Sequence, residues 1–472
     1  MNLHLADLAD ARVAIWGFGR EGRATLAMLR RRFPDKVLTV FCSASEADAL
    51  KVCDIVSPPT GSGERNILDA RLRLITDGPD AEALSQFDIV IKSPGISPYK
   101  LPAAAALRAG VRFTSGTALW FAEHPHARTI CITGTKGKST VTALIAHLLR
   151  KGGQRIALAG NIGLPLLALN APAPAPDWWV IELSSFQTHD FGGVPSVAVI
   201  NNLYEEHLDW HGTRERYFAD KLAIATHAQR LVVNAQETLL RATHVHPARS
   251  VFGNSEGWHV AGAAIRHGAI DVLPLSCLPM PGLHNAQNMC AALAAIDAAG
   301  FDSASLAAHV ASFQPLPHRL QRLGERDGID YVNDSIATTP YATIEALRSL
   351  GERPVTVLVG GFDRGVDWQP FVRHVAAHAP AMIVTMGANG DAIAAALRQV
   401  ETPDFALVSA GSLDAALVLA RSHTLAGGTI LLSPGAPSFD RFRDYAERGR
   451  EFARLAGFDP AAITQIDGIG IV

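Results

Sequence analysis

The sequence predicts an α/β protein of three domains, each built around a mostly parallel sheet. Three observations carry this expectation. Short apolar strands alternate with helical stretches along the chain, the pattern that lays helices over a parallel sheet. A glycine-rich turn joins such a strand to a helix twice, at Gly17–Gly22 and at Thr133–Thr140. The length of 472 residues gives three units at roughly 150 residues per domain.

The elements follow in chain order. Val13-Ala14-Ile15-Trp16 is an apolar strand, Arg23–Arg32 a helix, and Val37–Phe41 and Asp88-Ile89-Val90-Ile91 are further strands. Residues 1–112 therefore read as a Rossmann-like domain. A central domain, 113–314, opens on the strand Thr129-Ile130-Cys131-Ile132. In the stretch after it, Val141, Leu144, Ile145, Leu148 and Leu149 line one face of a helix that Gly152-Gly153 terminates. Trp178-Trp179-Val180-Ile181 and Val197-Ala198-Val199-Ile200 repeat the buried-strand pattern, and Ala171–Pro176, alternating alanine and proline, reads as a stiff loop within this domain. A third segment, 315–472, starts near Gln314-Pro315-Leu316-Pro317 and has strands at Val355–Val359, Met382–Thr385 and Thr429–Leu432, a second Rossmann-like unit.

Composition excludes several classes. With 48% apolar and 18% charged residues the chain can bury large cores, and a net charge of -3 without a long basic run argues against a nucleic-acid surface. The five cysteines (Cys42, Cys53, Cys131, Cys277, Cys290) include no C-x-x-C pair. That disfavours a disulfide framework or a zinc site and suits a reducing compartment. The start, MNLHLADLAD, lacks the charged and apolar regions of a signal peptide, and no apolar run approaches the roughly 20 residues that span a bilayer. The expectation is a cytoplasmic monomer with no nucleic-acid partner and no membrane insertion.

Thr133-Gly134-Thr135-Lys136-Gly137-Lys138-Ser139-Thr140 carries the strongest chemical signal. Glycines let the backbone turn tightly and aim N–H groups at a polyphosphate, and the helix N-terminus adds partial positive charge. Lys138 would sit on the β- and γ-phosphates of ATP, and the Ser139 hydroxyl would reach Mg²⁺. The loop is shorter than G-x-x-x-x-G-K-[ST], because Ile132 stands where the first glycine of that motif belongs. Near the N-terminus, Gly17-Phe18-Gly19-Arg20-Glu21-Gly22 fits G-x-G-x-x-G, which suggests NAD. An NAD site also needs an acid where the second strand ends, and here the chain reads Val40-Phe41-Cys42-Ser43. A diphosphate at the helix N-terminus fits better.

The spelling T-G-T-x-G-K-S-T resembles the Mur ligases and their folylpolyglutamate synthase relatives. Further matches fall in order: Gly160-Asn161-Ile162-Gly163, Glu182-Leu183-Ser184-Ser185-Phe186-Gln187, Glu206-His207-Leu208-Asp209, His284-Asn285-Ala286-Gln287-Asn288, His318-Arg319-Leu320, Val332-Asn333-Asp334-Ser335, Gly360–Gly365 and Leu432–Ser438. E-L-S-S-F-Q behind a short Rossmann-like domain looks like the MurD type, which adds glutamate to UDP-N-acetylmuramoyl-L-alanine. The resemblance implies that ATP phosphorylates the substrate carboxylate and the amine of the amino acid attacks the acyl phosphate.

Residue roles follow from the same resemblance. Gly134, Thr135, Lys136, Gly137, Lys138, Ser139 and Thr140 form the ATP loop. Glu182, at the carboxyl end of an apolar strand, holds Mg²⁺ together with Ser139, His207 and Lys221. On the residues alone His207 reads as a surface or packing histidine and Lys221 as a solvated helix lysine. The family makes the first a metal ligand and carbamylates the second. Asn285 and Asn288 match positions near adenine, Arg319 one on the nucleotide and Asp334 one near the ribose. Gly19, Arg20, Glu21 and Ser93 match the UDP side, and Asn161 also matches a substrate position. Thr338, Arg364, Ser438 and Tyr445 match the glutamate side.

Other branches of the family remain as readings: MurC, MurE, MurF or folylpolyglutamate synthase. So does a nucleotide sensor without turnover, although a sensor needs no second metal site. Within the MurD type, members commonly read N-D-S-K-A-T-N where this chain reads Asn333-Asp334-Ser335-Ile336-Ala337-Thr338-Thr339. Loss of that lysine points toward L-glutamate rather than D-glutamate, since an inverted α-carbon moves a carboxylate and the cations that meet it. Neutral drift in a D-glutamate ligase is the alternative.

Overall fold

The computed structural model describes residues 3–51, 71–170, 172–237, 240, 246–351, 353–463, 466 and 468–471. Cys53 and Ala171 lie outside the described residues. The chain divides into two compact units, Met1–Cys277 with Gln287–Val310 and Gly468–Val472, and Leu278–Ala286 with Ala311–Asp467.

The first unit holds two sheets. The smaller has β1 (Val13–Trp16), β2 (Leu38–Phe41), β3 (Leu72–Ile75), β4 (Ile89–Lys92) and β5 (Arg112–Thr114) in the order β3-β2-β1-β4-β5. Every pair is parallel. The direction of winding reverses between β1 and β4, so the loops after these strands flank the crevice where such sheets bind ligands. Helix α1 runs Arg20–Arg32, three residues earlier than the spacing suggested. A Cβ on Gly22 would lie 2.1 Å from the Gly17 carbonyl oxygen, so only glycine lets the first turn close onto the loop. Asp88 falls outside β4, because its carboxylate takes the Arg12 backbone and guanidinium.

The larger sheet contains β6 (Thr129–Thr133), β7 (Ile156–Gly160), β8 (Trp178–Glu182), β9 (Val197–Ile200), β10 (Arg230–Asn234), β11 (Arg249–Phe252), β12 (Trp258–Ala261), β13 (Ala264–His267) and β14 (Ile270–Pro274). Its order is β14-β13-β12-β11-β10-β9-β6-β8-β7, and a last strand, Gly470–Ile471, runs antiparallel beside β7. Strands β6 to β9 are buried along their whole length. Each fully buried Ile or Val there contributes about 1.5–3 kcal/mol. The antiparallel meander β12–β14 was not read from the sequence. Its two turns, Gly262-Ala263 and Gly268-Ala269, place a glycine at φ 58° and 59° in the first central position, which a two-residue hairpin of this hand requires.

Helix α2 (Lys138–Lys151) follows β6 and ends at Gly152 as expected. Helix α3 spans Arg214–Thr226, and the Thr213 hydroxyl caps it by accepting from Arg216 N–H. One continuous core, including Phe18, Leu29, Leu119, Trp120, Leu166 and Trp179, runs beneath both sheets. That shared core is why the segments expected as a first and a central domain form one unit.

The second unit has β15 (Gln321–Arg326), β16 (Ile329–Asn333), β17 (Val355–Val359), β18 (Met382–Thr385), β19 (Ala406–Ser409) and β20 (Thr429–Leu432), ordered β15-β16-β20-β17-β18-β19. Only the β15–β16 pair is antiparallel. Helix α4 (Tyr445–Leu455) covers β16. No helix among the described residues is long and apolar enough to cross a membrane.

Candidate active site

In the first unit a cavity of about 370 Å³ opens at the reversal between β1 and β4. The loop Gly17–Glu21, the loop Ser93–Ile96, and Gly160, Asn161, Ser184 and Gln187 from the larger sheet line it. Gly17 has φ 88°, and a Cβ there would meet the Ser93 side chain at 2.7 Å. The Ser93 hydroxyl donates to the Gly17 carbonyl and ties the two loops together. Arg20 donates to the Gly163 carbonyl at 2.9 Å. Glu21 accepts from the Gln187 amide, and burial raises its carboxyl to about 7. An acid does reach the end of β2, from the helix that follows it. Glu46 lines the cavity, yet its carboxylate already accepts from Ser43 N–H at 2.8 Å and the Ser43 hydroxyl at 2.9 Å.

The second glycine loop forms a cradle at the N-terminus of α2. Gly134 and Gly137 take φ 149° and 78°, and a Cβ on Gly137 would lie 2.2 Å from Asn288 Oδ1. Asn201 supports the loop by donating to the Lys136 carbonyl at 2.9 Å and to Asn288 at 3.0 Å. Asn288 thus packs directly behind the phosphate loop. Thr135 bonds to the Tyr204 carbonyl and the Tyr217 hydroxyl, Lys136 pairs with Glu206 at 2.7 Å, and Lys138 donates to the Thr135 carbonyl at 2.9 Å. Thr140 is buried in the first turn of α2, and Ser139 beside it is half-buried.

Glu182 closes β8 and is 1% exposed. Its Oε1 accepts from Asn161 at 2.7 Å, while Oε2 is buried with no hydrogen-bond partner among the described residues. An unpartnered buried carboxylate oxygen is costly unless a cation meets it. Lys221, on α3, is 2% exposed and donates to the Gly134 carbonyl at 2.8 Å. Burial, followed by the charge of Lys138, holds its ammonium well below the ordinary lysine range. The sequence alone made Lys221 a solvated helix residue, and the structure corrects that. His207 has φ 57° and half-exposed side chain 3.7 Å from Glu206, and burial keeps its imidazolium less stable than usual. No three His, Cys, Asp or Glu side chains among the described residues group as a metal cage. The free Glu182 oxygen nevertheless fits Mg²⁺, which takes one or two carboxylates and fills the rest of its shell with water and phosphate.

Two buried groups of this unit were missed by sequence reasoning. Lys92, the last residue of β4, is 2% exposed, and its ammonium finds no hydrogen-bond partner among the described residues. Its signal was present, a lysine ending the apolar run Ile89-Val90-Ile91. Asp220, next to Lys221, accepts from the Tyr99 hydroxyl at 2.7 Å and lies 2.7 Å from His211 Nδ1. Nothing in its helix spacing singles it out.

In the second unit, loops at the carboxyl ends of β16, β17 and β20 converge. Arg448 on α4, 2% exposed, donates to the carbonyls of Ser335, Ala436 and Pro437 and to the Ser335 hydroxyl. It too was missed, although its place among Gly449, Phe452 and Ala453 on the buried stripe of α4 is legible in the spacing. Asp334 accepts from the Ser433 hydroxyl and Leu320 N–H, and burial pushes its carboxyl to about 7. Ser438 is buried, Tyr445 is half-exposed against His318, and the exposed Arg364 sits 5.9 Å from the Phe439 ring centre. Thr338, Ile336 and Arg319 are half-buried. Asn285 donates to the Pro281 carbonyl at 2.7 Å.

A glycine loop that opens a helix with Lys138 at its start, together with a strand-end carboxylate with an oxygen to spare, is equipment for moving a phosphoryl group from a nucleoside triphosphate. Comparison with known proteins narrows the class. Residues 132–296 match the Mur ligase middle domain and residues 318–436 the Mur ligase glutamate ligase domain. The UDP-N-acetylmuramoyl-L-alanine--L-glutamate ligase of Xanthomonas axonopodis pv. citri (strain 306) is 49% identical, over 99% of this chain and 100% of that one. The ligase of the same name from Xylella fastidiosa (strain Temecula1 / ATCC 700964) is 48% identical over the same shares. In fold, the chain is similar to UDP-N-acetylmuramate-alanine ligase MurC from Thermotoga maritima, with a TM-score of 0.60 at 17% identity over 95% of this chain and 99% of that one. The chain belongs to the Mur ligase family, and it is an ATP-dependent ligase that forms amide bonds.

Proposed function

We propose that this protein joins L-glutamate to UDP-N-acetylmuramoyl-L-alanine, with cleavage of ATP to ADP and phosphate, in the synthesis of peptidoglycan precursors. The observation that carries this reading is the full-length identity of 49% to a ligase of that name. The cavity supports it, because its lining runs from the Gly17 and Ser93 loops to Asn161, whose amide holds Glu182. One elongated substrate can therefore lay its diphosphate at the N-terminus of α1 and its carboxylate beside the phosphoryl donor.

Residues 1–112 would bind the UDP end, with Gly19, Arg20, Glu21 and Ser93 in contact. Residues 113–314 would bind ATP, and 315–472 glutamate. Lys138 neutralises the γ-phosphate as the substrate carboxylate attacks it. Ser139, Glu182, His207 and Lys221, the last as its carbamate, would hold Mg²⁺, which supplies positive charge to the transferring group. Asn285, Asn288, Arg319 and Asp334 serve the nucleotide. Thr338, Arg364, Ser438 and Tyr445 orient glutamate, whose amine attacks the acyl phosphate and expels phosphate. ATP and a UDP-linked precursor as substrates suit a cytoplasmic enzyme, and we take it to act as a monomer.

The choice of enantiomer rests on the relatives' names and on Ile336, which offers no cation where MurD-type chains carry lysine. Parallel assays of phosphate release with the two glutamates test it. We expect L-glutamate to be preferred by on the order of a hundredfold or more, since a carboxylate deprived of its charged partner is strongly penalised. Preference for D-glutamate would overturn the stereochemistry and leave the ligase reading standing.

The same reading makes the N-terminal loop a UDP site. Calorimetric titration is expected to show binding of UDP and none of NAD(H), because Glu46, the acid that lines the cavity, is already bonded to Ser43. Tight nicotinamide binding would refute the assignment.

A further inference from the structure

We propose that Trp210 and Tyr99 are positioning residues that couple occupancy of the nucleotide-sugar cavity to metal binding at His207 and Lys221. The proposal rests on the substrate reading above and concerns how two of its sites communicate.

Four hydrogen bonds carry it. The Trp210 indole donates to the Pro94 carbonyl at 3.1 Å, and the Ser97 hydroxyl donates to the Trp210 carbonyl at 2.6 Å. The Tyr99 hydroxyl donates to Asp220 Oδ1 at 2.7 Å and lies 2.9 Å from Oδ2. His211 Nδ1 meets the same carboxylate at 2.7 Å. Pro94 lies in the loop that lines the cavity, and Ser97 and Tyr99 follow it directly in the chain. Trp210 lies in the helical turn Leu208–His211 that His207 opens, while Asp220 is the neighbour of Lys221 on α3. The segment 93–99 therefore grips the two elements that carry His207 and Lys221.

The geometry of His207 gives this grip a purpose. A non-glycine residue at φ 57° and ψ 35° persists only where its surroundings over-determine it. The His207 carbonyl accepts from Trp210 N–H at 3.0 Å and His211 N–H at 3.1 Å, so the left-handed residue is held by the residues that segment 93–99 holds. The Trp210 ring, buried and packed edge-on to Tyr99 at 5.7 Å, leaves the turn little room to relax. A ligand that orders the Pro94 loop thus favours the arrangement of His207 and Lys221 that a metal needs. Coupling of this kind is reciprocal: the metal must tighten the substrate as much as the substrate tightens the metal.

The test measures Mn²⁺ affinity by electron paramagnetic resonance on the full-length protein saturated with a non-hydrolysable ATP analogue, with and without UDP-N-acetylmuramoyl-L-alanine. In the wild type the nucleotide sugar should tighten Mn²⁺ by about fivefold or more. Tyr99→Phe keeps its ring and loses the hydroxyl, and Trp210→Phe keeps an aromatic side chain and loses the indole N–H. Both should reduce that factor below about twofold, with a thermal melt showing that each variant is still folded at the assay temperature. An unchanged factor in both variants overturns the proposal, as does a wild type that binds both ligands without coupling. Failure of the wild type to bind the nucleotide sugar at all would remove the substrate reading and this inference with it.

Discussion

Lys138→Ala is expected to lower ATP-dependent phosphate release by about a thousandfold or more. The transferring phosphoryl group spreads its charge over three oxygens, and the protein contributes mainly fixed positive charge around them. Lys138 opens α2 at the mouth of the cradle, where the helix N-terminus adds its own partial charge. Its ammonium already donates to the Thr135 carbonyl, so it is tied to the loop before nucleotide arrives. Removing such a preorganised cation costs several kcal/mol of transition-state stabilisation, at about 1.4 kcal/mol per tenfold in rate. Steady-state assays at saturating substrates, alongside a thermal melt to show that the variant folds, check this. Turnover within about tenfold of wild type would sink the assignment of the loop.

Lys221→Ala is expected to fall by on the order of 10²–10³ in turnover and to recover part of it when short-chain carboxylic acids are added. The argument starts from burial. An ammonium enclosed beside Lys138 loses hydration and meets like charge, so the amine is driven toward its neutral form. A neutral amine is the species that takes up carbon dioxide, and the carbamate formed carries the negative charge a second metal site wants. Glu182 and Glu206 both act on this lysine electrostatically, so the group stands among the candidate ligands and not on a solvated helix face. The alanine variant vacates the lysine's buried volume, and a small carboxylate that entered it would stand in for the carbamate. Full activity without added acid would return Lys221 to a structural role. Loss of activity with no rescue by any small acid would leave the lysine important and its carbamylation unsupported.

Most of the candidate site was legible because its motifs are contiguous. The strand Thr129–Thr133, the glycine turn and α2 lie in one run, and each reports its own local preference: apolar side chains for a buried strand, glycine for positive φ, spaced leucines for a helix face. Strand ends were less legible. Asp88 is polar and bonds Arg12 instead of extending β4, whereas Lys92 is charged and still completes it, buried. The meander β12–β14 was missed although its two glycine turns are local, because its strands are only partly buried and show no strong apolar alternation.

By itself the sequence determined the class of fold, the phosphate cradle, the order of the family motifs and the departure at Ile336. Each of these is written in residues a few positions apart, where chain stiffness and backbone preference act directly. Tertiary structure alone decided the charge states and the couplings. Lys221 meets a carbonyl 87 positions away, and Tyr99 meets Asp220 across 121. Arg448 reaches Ser335 across 113 positions to pin the loops of the second unit. Whether a lysine is solvated or a carboxyl is held near 7, as Glu21 and Asp334 are, depends on how much water and which partners surround it. Those surroundings exist only once distant segments have packed, because desolvation belongs to a place in the fold and not to a stretch of chain.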